Sequence, residues 1–292
     1  MRVRLTTVAL FALLASVPTG AQAAETLYSG KLLLTGGVTS VEGSGGGGIA
    51  TWSTITGYET KDGIGANAHA TFLKVDDYSL RDYGAAVGFY DRLELSFARE
   101  EFDTGATGAK LGLGKGFTFH QDVIGAKVRL FGDAVYDQDT WVPQVSVGVQ
   151  YKKVDHGDII HAVGGKHDSG VDYYIAGTKL LLDRSLVLSG TVRLTKANQT
   201  GLLGFGGDRK DDYSAQFEGS AGYLLTRRLV VGAEYRTKPD NLGFSKEDDW
   251  WDIFAAWAIN KNLSVTVAYA DLGDIATFKN QRGLYVSLQA GF

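Results

Sequence analysis

Several groups of residues in this 292-residue sequence are of types that could do chemistry. The stretch "DHGDIIHAVGGKHDSGVD" (155–172) gathers His156, His161 and His167 with Asp155, Asp158, Asp168 and Asp172. Imidazoles and carboxylates are ligands for zinc, nickel or copper. Their spacing matches no zinc motif, and two glycines loosen the segment, so a solvated loop competes with a metal site. The stretch "VEGSGGGGIATW" (41–52) is glycine-rich. Such loops cradle phosphate when a Lys-Ser/Thr and a helix follow. Neither follows here, which predicts a flexible loop or a segment packed where only glycine fits. His69 shares a polar row with Asn67 and Thr71; no Ser-His-acid set can be built from one strand, so a hydrogen-bonded imidazole is expected.

The most informative set is a series of charges on one side of an alternating pattern. Asp82, Glu94, Glu100, Glu218, Glu234 and Asp252 stand against Lys127, Arg129, Lys152, Lys179, Arg193 and Arg236, six of each sign. Facing water, they would line a pore of mixed charge and mild selectivity. Paired across a dry interior, they would close it, because a charge cannot be buried alone.

The elements that must position these residues read as strands. Ile64, Ala66, Ala68, Ala70 and Phe72 oppose Asn67, His69 and Thr71, and Val145, Val147, Val149 and Tyr151 oppose Gln144, Ser146, Gln150 and Lys152. This period of two recurs almost throughout. Tight connections recur in "YDRLEL", "LDRSLVL", "TRRLVV" and "NKNLSV", while 153–170, 197–211, 237–249 and 271–282 are long and charged. Short turns at one end and long loops at the other describe an up-and-down sheet crossing something with two unlike faces.

The ends and composition narrow the class. Residues 1–23 carry Arg2 and Arg4, an apolar run over 5–17 and small residues at 21–23, which predicts a cleaved secretory signal peptide. The formal net charge is −4 and falls further once those arginines are removed, which argues against a nucleic-acid partner. No cysteine is present, so neither disulfides nor a Cys-ligated zinc can staple the chain, and no cofactor motif is found. After the leader no apolar run is long enough for a transmembrane helix. A soluble sheet would hide its apolar face and a membrane barrel would turn it to lipid. Small outward residues (Ala66, Ala68, Ala85, Ala126, Ala233, Ala255) and aromatics near strand ends (Tyr58, Phe89, Trp141, Tyr151, Tyr174, Tyr223, Trp251, Tyr269) favour the membrane barrel.

The expected fold is therefore all-β, a closed antiparallel up-and-down transmembrane β-barrel of about 12–14 strands, 14 being favoured. Residues 49–292 form the barrel in this reading. Residues 24–48 supply either a first strand, "TLYSGKLLLTG" (26–36), or, with 49–58, a lumen plug that leaves about twelve strands. Both counts are even, as bacterial barrels require.

The closing stretch "GLYVSLQAGF" alternates Leu284, Val286, Leu288, Ala290 and Phe292 outward. It resembles the final strand of Gram-negative outer-membrane barrels, which the barrel-assembly machinery recognises by strand pairing. The resemblance implies residence in the outer membrane among lipid and lipopolysaccharide. More narrowly, "LLTGGVTSVEGSGGGG" (33–48), "ELSFAR" (94–99) and "VPQVSVGVQYKK" (142–153) resemble an uncharacterised family of Gram-negative outer-membrane proteins, a domain of unknown function, which transfers no activity. The function expected is a passive, porin-like channel for small polar solutes. A closed structural, adhesive or assembly barrel acting through its loops stands as the alternative, and an outer-membrane lipid-modifying enzyme as a minor one. Oligomeric state is left open.

Overall fold

The computed structural model describes residues 31–36 and 38–292; the expected leader and residues 26–30 lie outside them. Twelve antiparallel strands close on themselves. In chain order they are β1 (Ile64–Val75), β2 (Ser79–Phe89), β3 (Leu93–Asp103), β4 (Thr118–Phe131), β5 (Gln144–Val154), β7 (Ser169–Leu181), β8 (Leu186–Thr195), β10 (Ser214–Thr226), β11 (Leu229–Arg236), β12 (Trp250–Ala258), β13 (Leu263–Asp271) and β14 (Arg282–Gly291). Two further strands, β6 (Gly165–His167) and β9 (Phe205–Gly207), pair with each other over the long-loop end. The barrel closes where β1 pairs β14, from Asn67↔Gly291 to Val75↔Gly283. With that ladder complete, neither edge strand is left unpaired.

The twelve-strand count corrects the favoured fourteen. Residues 31–36 form no strand, and 49–58, expected as part of the barrel when fourteen strands are counted, lie inside it, so the wall begins at Ile64 rather than at residue 49. Residues 38–58 instead fold into a knot of turns within the bore. Ser40 N–H donates to Ser44 O at 2.9 Å, Val41 N–H to Gly48 O at 3.0 Å and Trp52 N–H to Gly45 O at 3.2 Å. This plug enters and leaves at the same end of the barrel. Gly57 N–H donates to Gly36 O there, Thr56 Oγ1 sits 3.4 Å from the same oxygen, and Lys31 pairs with Asp91 in the β2–β3 turn at 3.0 Å.

The glycine run is what lets the chain turn so tightly. Gly43 has φ +81°, a Cβ at Gly46 would stand 2.5 Å from Ala50 O, and a Cβ at Gly47 would collide with the Glu234 carboxylate. Between the two expectations for this stretch, the packed segment is the one found.

The outward positions carry Ile124, Phe217, Ile253, Val267 and Leu284, all exposed, and the inward positions carry the charges, which are buried. That polarity is the reverse of a soluble barrel and is the arrangement for a bilayer. Trp141, Tyr151, Tyr223 and Tyr269 stand on the outer face as expected of a girdle; Tyr58 and Tyr174 do not, being buried inside. Leu284 and Phe292 are exposed outward, with Val286, Leu288 and Ala290 half-covered between neighbouring strands. The tight connections (90–92, 182–185, 227–228, 259–262) share one end with 132–143. The other end carries 104–117, 155–168, 196–213, 237–249 and 272–281, with the short turn 76–78.

Candidate functional site

A backbone that is neither helix nor sheet can sit at membrane depth only if the protein supplies its hydrogen bonds. The wall charges do this. Glu94 on β3 accepts from Ser44 Oγ (2.8 Å), Gly45 N–H (3.0 Å) and Thr56 N–H (2.9 Å). Glu234 on β11 accepts from Ile49 N–H at 2.8 Å and Glu218 on β10 from Thr51 N–H at 2.7 Å. In return Lys127 on β4 donates to the carbonyls of Gly45 (3.0 Å), Trp52 (3.1 Å) and Thr54 (2.7 Å), and pairs with Glu94 at 3.1 Å. Neutral groups complete the seating: Gln289 accepts from Thr39 N–H at 2.7 Å and donates to Thr39 O at 3.0 Å.

The centre of the site is a residue the alternation did not nominate. Glu42, in the plug and fully buried, accepts from Arg236 Nη1 (3.0 Å) and Nη2 (2.9 Å), lies 3.3 Å from Arg193 Nη2, and pairs with Lys152. Lys152 also meets Asp172 at 2.7 Å, and Arg193 meets both Asp172 (3.4 Å) and Glu218 (2.5 Å). Three cations thus face three carboxylates in a closed cluster of zero net charge. Such a group survives burial because every member is paired. Asp172 was also outside the twelve wall charges; the signal was its parity with Gln150 and Lys152 on the neighbouring strand, inward like them.

All twelve wall charges are buried, but only eleven lie on the inner side. Lys179, expected in the lumen, alternates with the inward Thr178 and Leu180 and stands opposite the exposed Leu188, so it lies on the outer parity of β7 and is buried by the connection it holds. Glu94, Lys127, Lys152, Arg193, Glu218, Glu234 and Arg236 hold the plug. Arg129 and Lys179 sit at the short-turn end and hold the 132–143 connection: Arg129 Nε donates to Gly132 O at 2.8 Å and Nη2 pairs with Asp133 at 3.1 Å, while Lys179 reaches the carbonyls of Asp133 and Asp137. Glu100 accepts from Gln121 at 3.0 Å, and Asp252 lies in register with Glu234 across β11 and β12. Asp82 meets His69 Nε2 at 2.9 Å, and Thr39 Oγ1 lies 2.9 Å from His69 Nδ1.

Thr39, His69 and Asp82 therefore form a hydroxyl–imidazole–carboxylate line that one strand could not supply, the hydroxyl coming from the plug. Its geometry is that of an activated nucleophile. Thr39 is 1 % exposed and the other two side chains 0 %, so no substrate reaches the hydroxyl, and the line serves to seat the plug.

The three histidines of 155–172 do not converge. His156 packs on Phe117 at 4.8 Å, His161 Nδ1 lies 3.0 Å from Gly165 O, and His167 faces Asp211 at 3.7 Å. Among the described residues no three His, Cys, Asp or Glu side chains are grouped to hold a metal ion.

The bore is banded along its axis. Above the charged middle the inward residues turn apolar, with Leu73, Val75, Leu80, Phe102 and Phe119; below it Leu180, Val187, Val230 and Phe254 do the same. Each band borders a small cavity, of about 50 Å³ at the long-loop end and about 40 Å³ at the short-turn end.

At the short-turn end the plug's exit is held by Glu59, whose Oε1 is 3.1 Å from Lys31 Nζ. Burial, opposed by Lys31, pushes this carboxyl from 4.5 up to about 7. The native chain therefore retains a proton between those values that the unfolded chain has released, so stability falls as pH rises through that window. Wild-type protein is expected to lose stability relative to Glu59→Gln from about pH 5 to pH 7, by at most ~1.4 kcal/mol for each pH unit crossed. Urea unfolding of both proteins across that range measures it; parallel pH profiles would refute it.

The family described as "Protein of unknown function (DUF3034)" matches residues 35–289. No curated protein matches the sequence. Among solved structures, the KdgM porin is 12 % identical with a TM-score of 0.51, over 77 % of this chain and 99 % of that one. The NanC porin is 6 % identical (TM-score 0.48; 77 % and 98 % covered) and outer membrane phospholipase A from Escherichia coli 9 % identical (TM-score 0.44; 81 % and 94 %). At these identities the likeness is one of fold.

Proposed function

The chain belongs to the DUF3034 family, and because that membership fixes no chemistry we propose its role from the bore itself: an outer-membrane channel held shut by its own 38–58 segment. The observation that carries this is the division of labour in the lumen. The barrel ladder is complete without the plug, whereas the plug up to Gly57 is joined to the wall through side chains, with a backbone bond only at its exit from Tyr58 N–H to Phe292 O at 2.9 Å, so displacing it leaves a closed wall lined with charges. A wall bearing Glu94, Lys127, Lys152, Arg193, Glu218 and Arg236 would then fill with water and pass small polar solutes. Export by a cleaved leader and insertion through the 284–292 strand by the barrel-assembly machinery complete the proposal.

Conductance in a planar bilayer tests it. The full chain is expected to be silent or to open rarely, and a chain in which 38–56 is replaced by a short Gly-Ser link to show stepwise ohmic conductance. The density of plug contacts favours a second reading, a permanently closed structural barrel. That reading wins if the shortened chain inserts, resists heat as a folded barrel does, and stays silent.

A further inference from the structure

Two carboxylates of the bore are left over once the cations around the plug are matched. Lys127, Lys152, Arg193 and Arg236 are taken up by Glu94, Glu42, Asp172 and Glu218. Glu234 on β11 and Asp252 on β12 stand directly opposite each other, 3 % and 2 % exposed. Neither enters an ion pair among the described residues; Arg236, two positions along β11, is held by Glu42. Facing residues of antiparallel strands have Cβ atoms about 4.5–5.5 Å apart, where like charges repel. Two carboxylates cannot both stay charged there in a dry bore without a positive partner.

Neighbouring groups point to the same place. Asp252 Oδ1 and the Tyr285 phenol oxygen are buried and have no hydrogen-bond partner in the described chain. Only β13 separates Tyr285 on β14 from Asp252, and its inward residues there are small: Ala268, in register with Tyr285, and Ala270, in register with Asp252. From the plug, a Cβ on Gly48 would lie 3.4 Å from Glu234 Oε2 and 3.6 Å from the Tyr285 phenol oxygen. Carboxylate and phenol thus converge beside a glycine that offers no side chain to meet them. Buried polar atoms without a partner are few in folded proteins, and each calls for a physical account.

We propose that Glu234, Asp252 and Tyr285 form a binding site for one small hard cation, a divalent ion such as calcium, held between the wall and the Gly47–Gly48 turn of the plug. Every donor is an oxygen, the set that hard cations take, and two carboxylates match the charge of one divalent ion. Glu234 already accepts from Ile49 N–H at 2.8 Å, so the ion would give this turn a second hold beside that hydrogen bond. The site requires the plug to be seated and is formed whether or not the barrel conducts.

Two measurements on the full chain in uncharged detergent test this. Equilibrium dialysis with radioactive calcium is expected to show one ion per chain that Asp252→Asn loses, and that Tyr285→Phe, which deletes only the phenol oxygen, binds at least threefold more weakly. Exchange of the Gly48 and Ile49 amides is expected to slow at least tenfold in calcium but not in choline at equal ionic strength. Folding of each variant is checked by its resistance to heat in detergent electrophoresis. Equal calcium uptake by the wild type and both folded variants would mark adventitious binding to loop carboxylates and overturn the proposal. Equal protection by choline would reduce the effect to ionic strength, and exchange indifferent to calcium would leave a proton to neutralise the pair; either result also overturns it.

Discussion

Glu42→Gln is expected to unseat the plug while leaving the barrel standing. The substitution keeps the side-chain shape and removes one negative charge from a cluster of three cations and three carboxylates, leaving Lys152, Arg193 and Arg236 against Asp172 and Glu218. An uncompensated buried charge costs about 3–5 kcal/mol. The wall cations gain nothing by staying dry, so water enters and the plug moves. The signature is a contrast within one molecule. Amide hydrogen exchange over 38–56 should accelerate on the order of a hundredfold or more, as that free energy implies, while the strands keep wild-type protection. Bilayer recordings should show openings far more frequent than in the wild type. Uniform loss of protection would mean that plug and barrel fold as one unit, and no change in either measurement would mean that Glu42 is dispensable.

The Lys127–Glu94 pair is expected to show strong coupling. Lys127→Met strands three plug carbonyls and the Glu94 charge together. Glu94→Gln weakens what holds Ser44, Gly45 and Thr56 and leaves the ammonium unbalanced. Each single variant is expected to cost about 3–5 kcal/mol in plug seating, since each abandons one buried charge. The double variant abandons none, so its cost should fall short of the sum by about 1–3 kcal/mol. Exchange of the Gly45 and Thr56 amides in the four proteins gives the cycle. Simple additivity would show that the two charges act independently, each solvated by water in the bore.

Much of the wall was legible because it rests on local periodicity. His69, Lys127, Arg193 and Glu234 face inward where parity put them, and Ile124, Val192 and Ile253 outward. The strand count was not legible, for a physical reason. The stretch 49–58 carries Ile49, Trp52, Ile55 and Tyr58 among threonines and serines, a composition that suits a strand and a segment packed inside protein equally well. The difference lies in where its backbone hydrogen bonds go, to Glu94, Glu218 and Glu234, up to 185 positions away. Likewise six charges of each sign could line water or neutralise one another, and only the position of Glu42, off every strand, decides between them. The apolar bands were readable in principle: along β1 the inward residues run Asn67, His69, Thr71, Leu73, Val75, a change of character within one face.

The plug enters and leaves by one mouth, with Gly36 and Gly57 side by side. It is a loop drawn into the bore, so among the described residues the chain does not thread the barrel from end to end. Emptying the lumen would therefore be a retraction in one direction, and the reverse slide would restore it. Motion of this kind would leave every ladder of the wall intact, so under the proposed function the segment would be a stopper that could be withdrawn and reseated within the life of one folded molecule.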